Sequence, residues 1–477
     1  MRRYRHRQLI LWTALCIVVM LTATGCTMAP NYVRPDLPIP NTYPVSGQGA
    51  EEGAAETPQA DPLPGWKEFF RDAPMRTVVE LALENNRDLR VSMLNIEKTR
   101  AQYRIQRADL LPSINADGSA SNQHLPASLS GTGAKGVSRQ YSATLGFSSF
   151  ELDLFGRIRS LTTQAMETYY SVEEEARAAQ LSLAAETAAM YLQLVADREV
   201  YDLTQATADN RKKTYDLIVR KFEAGVASDL DVSQARTILE EAMVSLAAAA
   251  TRVGQDENAL TLLMGCPIPA HLPEVRRLSQ VYTLADVPEG LPSSLLERRP
   301  DIRAAEHTLL GANANIGAAR ANFFPRISLT AAFGKMSDDY NDLFDAPSRA
   351  WSFLPQVSLP IFDTGRNKAA LDVAETDRDI AVARYEKAVQ TAFREVGDTL
   401  VQRANIGSQL EAQQALVEAT GRSVQHANTR YGAGVSNFID LLDAERSWYT
   451  AQSGLISTRL LRESNALTLY KALGGGF

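Results

Sequence analysis

RRPDIRAAEHTLLGANANIGAARANFFPRI, residues 298–327, is the fuller of two copies of one pattern. Asp88, Arg90, Ala101, Arg107, Ala108, Pro112 and Ile114 recur without a gap 213 positions later as Asp301, Arg303, Ala314, Arg320, Ala321, Pro325 and Ile327. Each copy reads as a helix stopped by a proline, which has no N–H to give the helix and clashes with the carbonyl four residues back. Beyond Pro325 the period changes: Ile327, Leu329, Ala331 and Phe333 fall on one face and Ser328, Thr330 and Gly334 on the other, the two-residue rhythm of a strand. The chain is built twice on one plan, a long helix handing over to a strand at Pro112 and again at Pro325.

Working outward, residues 73–265 form the first repeat. A helical pattern over 73–111 leads to a strand at about 112–120, a polar surface loop at 122–140, and a second strand at about 141–155. In that strand Tyr141, Ala143, Leu145 and Phe147 alternate with Ser142, Thr144 and Gly146. Residues 158–222 then hold no proline, which predicts a helix about 97 Å long at 1.5 Å per residue. Leu181, Ala184, Ala188, Tyr191 and Val195 follow the alternating three-and-four spacing of a coiled coil, as do Leu239, Ala242, Leu246, Ala249 and Val253. Gly225 ends the long helix, and Ser228 with Asp231 has the spacing of a capping box that opens the next one, running to about Met264.

A proline-containing connector, 266–292, precedes the second repeat, 293–477. Its strands are expected at about 325–334 and 351–362, the latter with Trp351, Phe353, Val357, Leu359 and Ile361 on one face, and the polar loop at 335–350. Gly365-Arg366 answers Gly156-Arg157 at an offset of 209, and Gly434 answers Gly225 at the same offset, so register is kept through the whole long helix.

The N-terminus has arginines, then the apolar run 9–22, then small residues ending at Gly25-Cys26. This is the layout of a secretory signal, assigned to residues 1–25. Ala23-Thr24-Gly25-Cys26 resembles a bacterial lipobox, with alanine where leucine is usual, so Cys26 is the expected lipidation site; Thr27 is not the aspartate of an inner-membrane retention signal, which points to the outer membrane. Residues 26–72 form a lipid-anchored extended segment, proline-rich with eight prolines between Thr27 and Pro64. Once the four leader arginines are gone, 45 basic residues face 56 acidic ones, a balance that argues against a nucleic-acid partner. Beyond the leader Cys26 and Cys266 remain, too few for a disulfide framework once Cys26 is acylated.

After the leader the chain has no apolar run long enough for a transmembrane helix. Its four amphipathic strands are too few to close a barrel with room inside, and an open sheet edge cannot sit in lipid, so strands that span a membrane must come from several chains. At this point the chain is identified as similar to the TolC-like outer membrane factors, in the lipoprotein branch that serves tripartite efflux systems of the resistance-nodulation-division type. The resemblance rests on Cys26 with Ala29-Pro30-Asn31-Tyr32, Arg298-Arg299-Pro300-Asp301-Ile302-Arg303, Phe323-Phe324-Pro325, Leu359-Pro360-Ile361-Phe362, Arg430-Tyr431 with Gly434-Val435, Leu441-Leu442-Asp443-Ala444, and Leu469-Tyr470-Lys471-Ala472-Leu473-Gly474-Gly475-Gly476.

That resemblance implies a mostly α fold with a small β part, two tandem structural repeats, and four membrane strands per protomer in a trimeric twelve-stranded β-barrel. It implies a passive exit channel whose homotrimer sits in outer-membrane lipid and meets a periplasmic adaptor joined to an inner-membrane transporter. It also suggests Asp440 and Asp443 as inward carboxylates of a periplasmic gate and Gly225, Val226, Gly434 and Val435 as adaptor-docking turns. The plainer readings are that Asp440 caps a helix behind Asn437 and that the glycines only end helices. Relatives with an arginine where Ser436 stands have a locking ion pair that Arg446 or Arg430 would have to replace.

Other signals carry no site. Gly131-Thr132-Gly133-Ala134-Lys135-Gly136 fits GxGxxG but lies in a polar hairpin loop with no helix after it. The five histidines are scattered, the ten methionines dispersed, and no nucleophile stands at a recognised distance from a base. No metal, cofactor or catalytic residue is therefore expected, and an enzyme is the most distant reading. The runner-up is a coiled-coil outer-membrane lipoprotein acting as a periplasmic spacer, which would not need alternating strands after Pro112 and Pro325.

Overall fold

A computed structural model describes residues 27–40, 43, 65–128, 136–281 and 293–476. Among them the helices are α1 (Trp66–Phe69), α2 (Ala73–Asn85), α3 (Arg87–Ala108), α4 (Arg157–Glu223), α5 (Asp229–Met264), α6 (Pro300–Ala321), α7 (Arg366–Gly432) and α8 (Phe438–Ala472); the strands are β1 (Asn115–Leu125), β2 (Gly136–Leu152), β3 (Arg326–Ser337) and β4 (Arg349–Ser358). The repeat is kept to the residue: α3 and α6 are both 22 residues long, α4 and α7 both 67. The chain divides into two compact units, one of Met1–Asp36, Asn95–Glu173 and Ala304–Tyr385, the other of Leu37–Leu94, Glu174–Arg303 and Glu386–Phe477.

The first unit holds one antiparallel sheet in the order β1-β2-β3-β4. Register sets apolar residues side by side on one face, in the rows Leu145–Phe333–Trp351, Phe147–Ala331–Phe353 and Leu152–Ile327–Val357. Leu145, Phe333, Trp351, Phe353 and Val357 are each more than half exposed. The opposite face carries rows such as Glu151–Ser328–Gln356 and Asp117–Thr144–Gly334. A bulge between Phe147 and Phe150 keeps the segregation. Ser149, at φ 55°, gives its N–H to Thr330 Oγ1 at 3.0 Å, and the extra residue returns Phe150 and Leu152 to the apolar side.

Both junctions are made the same way. α3 and α6 each tighten into three successive i→i−3 backbone bonds, from Asp109, Leu110 and Leu111 and from Asn322, Phe323 and Phe324, before Pro112 and Pro325. The helix thus stops four residues short of each proline. On the return, the Asp153 carboxylate accepts the N–H groups of Ile158 and Arg159, and Asp363 accepts those of Gly365 and Asn367, so each long helix starts on an aspartate. Those backbone bonds, that of Asn367 foremost, hold the Asp363 carboxyl below its usual range. Residues 27–36 run over α6, with Asn313 donating to the Pro30 carbonyl and Arg34 forking onto Glu306 at 2.7 and 2.6 Å.

Several strand limits differ from those expected. β1 starts at Asn115, not 112, and continues through Leu125; β2 starts at Gly136, so both enter the stretch read as a loop over 122–140. Ladder bonds are made by backbone, and they extend past the alternating apolar band that marks a strand in sequence. β2 ends at Leu152, where Asp153 turns to cap α4, and β4 ends at Ser358, before Pro360. β3 runs three residues past 334 and β4 starts at Arg349, before 351. The pattern over 73–111 is two helices: Asn86 gives the Leu89 N–H an acceptor and donates to the Leu263 carbonyl, and its own ψ of 132° breaks the run.

The second unit is helical. Leu181, Ala184, Ala188, Tyr191 and Val195 are buried, as their spacing requires. Phe69, Phe70 and Tyr470 stack near the C-terminus, and Arg299 lies buried with its guanidinium on the Ala472 carbonyl, Asp301 and Glu395. No helix among the described residues is long and apolar enough to cross a membrane.

Candidate functional site

The second unit brings the four turn residues into two matching motifs. At Gly225 (φ 73°) and Gly434 (φ 72°) the helix ends in the left-handed region that favours glycine. Gly225 donates to the Phe222 carbonyl and Val226 to that of Lys221; Gly434 donates to Tyr431 and Val435 to Arg430. Both are Schellman closures, which satisfy carbonyls the helix leaves unpaired. The fold around them leaves Val226 and Val435 bare, 76% and 68% exposed. Behind them Ile218, Ala235 and Phe438 form a buried cluster, and Lys221 lies 4.7 Å over the Tyr431 ring.

The two following helix starts differ. α5 opens on the expected capping box, with Ser228 and Asp231 bonded reciprocally and the Asp231 carboxyl held below its usual range by the Ser228 N–H and hydroxyl. In α8 the cap is Asn437, which accepts from the Asp440 N–H at 2.9 Å. The Asp440 carboxylate is exposed and returns no bond to the cap, leaving it available for another task. Asp443 pairs with Arg446 at 3.0 Å, one of the two arginines expected to stand in for the position of Ser436. Both ends of that pair are exposed, so it contributes little to stability. They stand on the wall of a groove of about 490 Å³ that also includes Arg211, Leu442 and Tyr449.

Two polar elements on these helices escape sequence reading. Arg211 is buried and paired with Glu445, and Thr204 meets the Tyr449 hydroxyl at 2.9 Å, so a polar seam runs between α4 and α8. Between α4 and α5, Asp256 faces Asp197, and one Asp256 oxygen is buried without a donor. Burial, then the bond to Asp197 and its charge, push the Asp256 carboxyl up to about 6. A carboxyl raised in the folded state keeps a proton that the unfolded chain has released, so its contribution is complete below about pH 4 and fades as pH rises through 6. Thermal stability is expected to fall between about pH 4 and pH 6, and Asp256→Asn to flatten that slope; an equal slope in the variant would exclude the pair as its source.

Pro112 and Pro325 stand at the helix-to-strand junctions, in the first unit. Cys26 lies outside the described residues.

Comparison with known proteins agrees with this architecture. The family model described as outer membrane efflux protein matches residues 78–266 and 291–475. A relative called probable efflux pump outer membrane protein TtgC, from Pseudomonas putida, is 48% identical across 95% of this chain and 93% of its own. Outer membrane protein OprJ of Pseudomonas aeruginosa is 42% identical across 97% of this chain and 95% of its own. Among solved structures, the open state of the Neisseria gonorrhoeae MtrE outer membrane channel superposes with a TM-score of 0.83 at 38% identity, covering 94% of this chain and 98% of that one. The chain therefore belongs to the outer membrane efflux protein family, the TolC-like exit channels of the outer membrane.

Proposed function

We propose that three copies of the chain form the channel, that Asp440 and Asp443 line its periplasmic gate, and that the turns at Gly225-Val226 and Gly434-Val435 receive a periplasmic adaptor joined to an inner-membrane transporter. Cys26 carries the lipid anchor and Pro112 and Pro325 mark the membrane rim of the barrel. The channel works passively; the transporter supplies the energy and does most of the choosing of substrate.

The observation that carries this reading is the four-stranded sheet with an apolar face and both edges, β1 and β4, unpaired among the described residues. A sheet in lipid must satisfy every backbone group, so it closes with other copies. Twelve strands leave an aqueous lumen lined by the polar face. The spacer reading leaves those exposed aromatic rows without a purpose. At the tip, a trimer multiplies the free Asp440 carboxylate into a ring of three like charges, which draws cations and repels itself.

The experiment is conductance in planar bilayers. Asp440→Ala combined with Asp443→Ala is expected to raise the closed-state conductance or lower the preference for cations, and unchanged conductance with unchanged selectivity would remove the gate. The intact mass of the same purified protein should include the acyl groups on Cys26; an unacylated mass would remove the anchor.

A further inference from the structure

Charge on the sheet is sorted by face. Of the six strand residues that are Asp, Glu, Lys or Arg, Asp117, Glu151 and Arg326 lie on the polar face and Arg139, Lys335 and Arg349 on the apolar one. The polar face answers its own cation, since Arg326 pairs with Glu151 at 3.3 Å. The apolar face holds cations alone.

All three stand toward the hairpin ends of their strands. Lys335 is directly opposite Arg349, in the row Ala143–Lys335–Arg349 one step beyond Leu145–Phe333–Trp351, and Arg139 lies further out along β2, past Tyr141. Like charges facing each other across strands destabilise a sheet. No carboxylate relieves this pair: the Lys335 ammonium donates to the Phe344 and Asp345 carbonyls, and the Arg349 guanidinium lies 4.9 Å over the Phe333 ring. Asp338, Asp339, Asp342 and Asp345 follow between β3 and β4, yet none pairs with Lys335, Arg349 or Arg139 among the described residues. The N–H groups of the Arg349 guanidinium and one N–H of Lys335 are therefore left to donate to a ligand.

Their position along the strands fits a lipid boundary. From Ile327, in the apolar row nearest Pro325, to Lys335 the chain advances about 27 Å along β3, or about 20 Å of depth at a strand tilt of about 40°. That approaches the height of a barrel's apolar band and puts Lys335 and Arg349 where acyl chains give way to head groups. Tyr141 and Trp351 occupy the adjoining rows and Tyr340 packs on Tyr141, rings suited to that boundary.

The strands join helices only at their other ends, through Pro112 and Pro325, so the hairpin end meets the outer leaflet. We propose that Lys335 and Arg349, with Arg139 further out, form a site for the phosphate groups of a glycolipid in that leaflet. The inference rests on the membrane-spanning barrel above and adds the lipid it holds. A phosphate between Lys335 and Arg349 removes their repulsion and accepts charge-assisted bonds from both. A second copy's β1, closing against β4, brings Ala116, Gly118, Ala120, Asn122 and His124 to that face and no carboxylate, so closure leaves the cations to the lipid.

Native mass spectrometry of the full-length protein in detergent, titrated with diphosphoryl lipid A, tests it. That lipid should stay on the trimer under conditions that strip its dephosphorylated form and phosphatidylglycerol. Lys335→Gln combined with Arg349→Gln should weaken binding about thirtyfold, and Arg349→Gln alone, which removes no hydrogen bond within the chain, about fivefold. Arg326→Gln, on the polar face, should change nothing, and Lys335→Arg with Arg349→Lys should bind as the unmodified chain does. A trimer that holds diphosphoryl lipid A undiminished after Arg349→Gln, or one that never holds it, overturns the site and leaves the barrel standing. Equal retention of phosphatidylglycerol overturns the glycolipid as occupant. An unmodified chain that gives no trimer by native mass overturns the barrel reading itself.

Discussion

Gly334→Ala is expected to abolish recovery of the proposed heat-labile trimer from the outer membrane while leaving most helical signal in circular dichroism. A Cβ on Gly334 would enter the van der Waals shell of the Ala143 carbonyl oxygen and come within 2.6 Å of Thr144 Cα. Gly146, on the partner strand, is confined in the same way by Ala331 and Ala332. These are backbone atoms, so no rotamer change relieves the clash, and β2 and β3 must separate in the middle of the sheet. Overpacking costs about 1–3 kcal/mol where side chains can shift; a backbone obstacle belongs at the top of that range, repeated in each copy. Gly118 and Gly136 have open space where a Cβ would go, so Gly118→Ala is the matched control and should assemble normally. Normal oligomer yield from Gly334→Ala would show that the ladder tolerates what the geometry forbids.

The second large effect is expected at Arg299→Ala. The guanidinium is 9% exposed and makes four bonds: 2.6 Å to the Ala472 carbonyl, 3.0 and 2.7 Å to the Asp301 carboxylate and 2.9 Å to Glu395. Its removal strands a carbonyl near the end of α8 and leaves two carboxylates facing each other. Breaking a buried pair costs about 3–5 kcal/mol, but Asp301 and Glu395 are 45% and 41% exposed and water can reach them. A loss of about 3 kcal/mol is therefore expected, read as a lower midpoint in denaturant unfolding. Arg299→Lys keeps the charge and loses the fork, so about half that loss is expected. An unchanged midpoint for Arg299→Ala would show that neighbouring side chains replace its bonds.

The helical and strand order was legible because the signals are long and repeated. Sixty-odd residues without proline, two prolines at one offset and two glycines at another leave few alternatives. Strand ends were not, because Gln123 and His124 join β1 by backbone bonds that side-chain alternation does not report. Asn86 was missed as a break since its replacement of two backbone partners depends on Leu263, far away in the chain. At the tips, glycine identity announced both turns, and Ser228 with Asp231 announced one cap. The difference at the other cap, where Asn437 acts alone and Asp440 is left free, comes from which side chain reaches back and is invisible to spacing. Nothing in the spacing around Arg211 or Asp256 marks either as buried; the partners Glu445 and Asp197 lie on a neighbouring helix far away in the chain.

The equal 67-residue lengths of α4 and α7 make helix length a shared variable. One residue inserted in α4 alone would move its turn by about 1.5 Å and rotate it by about 100°. Phe438 would then lose its seat against Ile218 and Ala235. A change that spares this seat must enter α4 and α7 together with the helices that follow them, α5 and α8, since Asp256 of α5 faces Asp197 of α4, and in steps of about seven residues to keep the buried stripes facing inward. The length of these helices can therefore change only in matched increments of about 10 Å, a gearing that a single substitution cannot adjust.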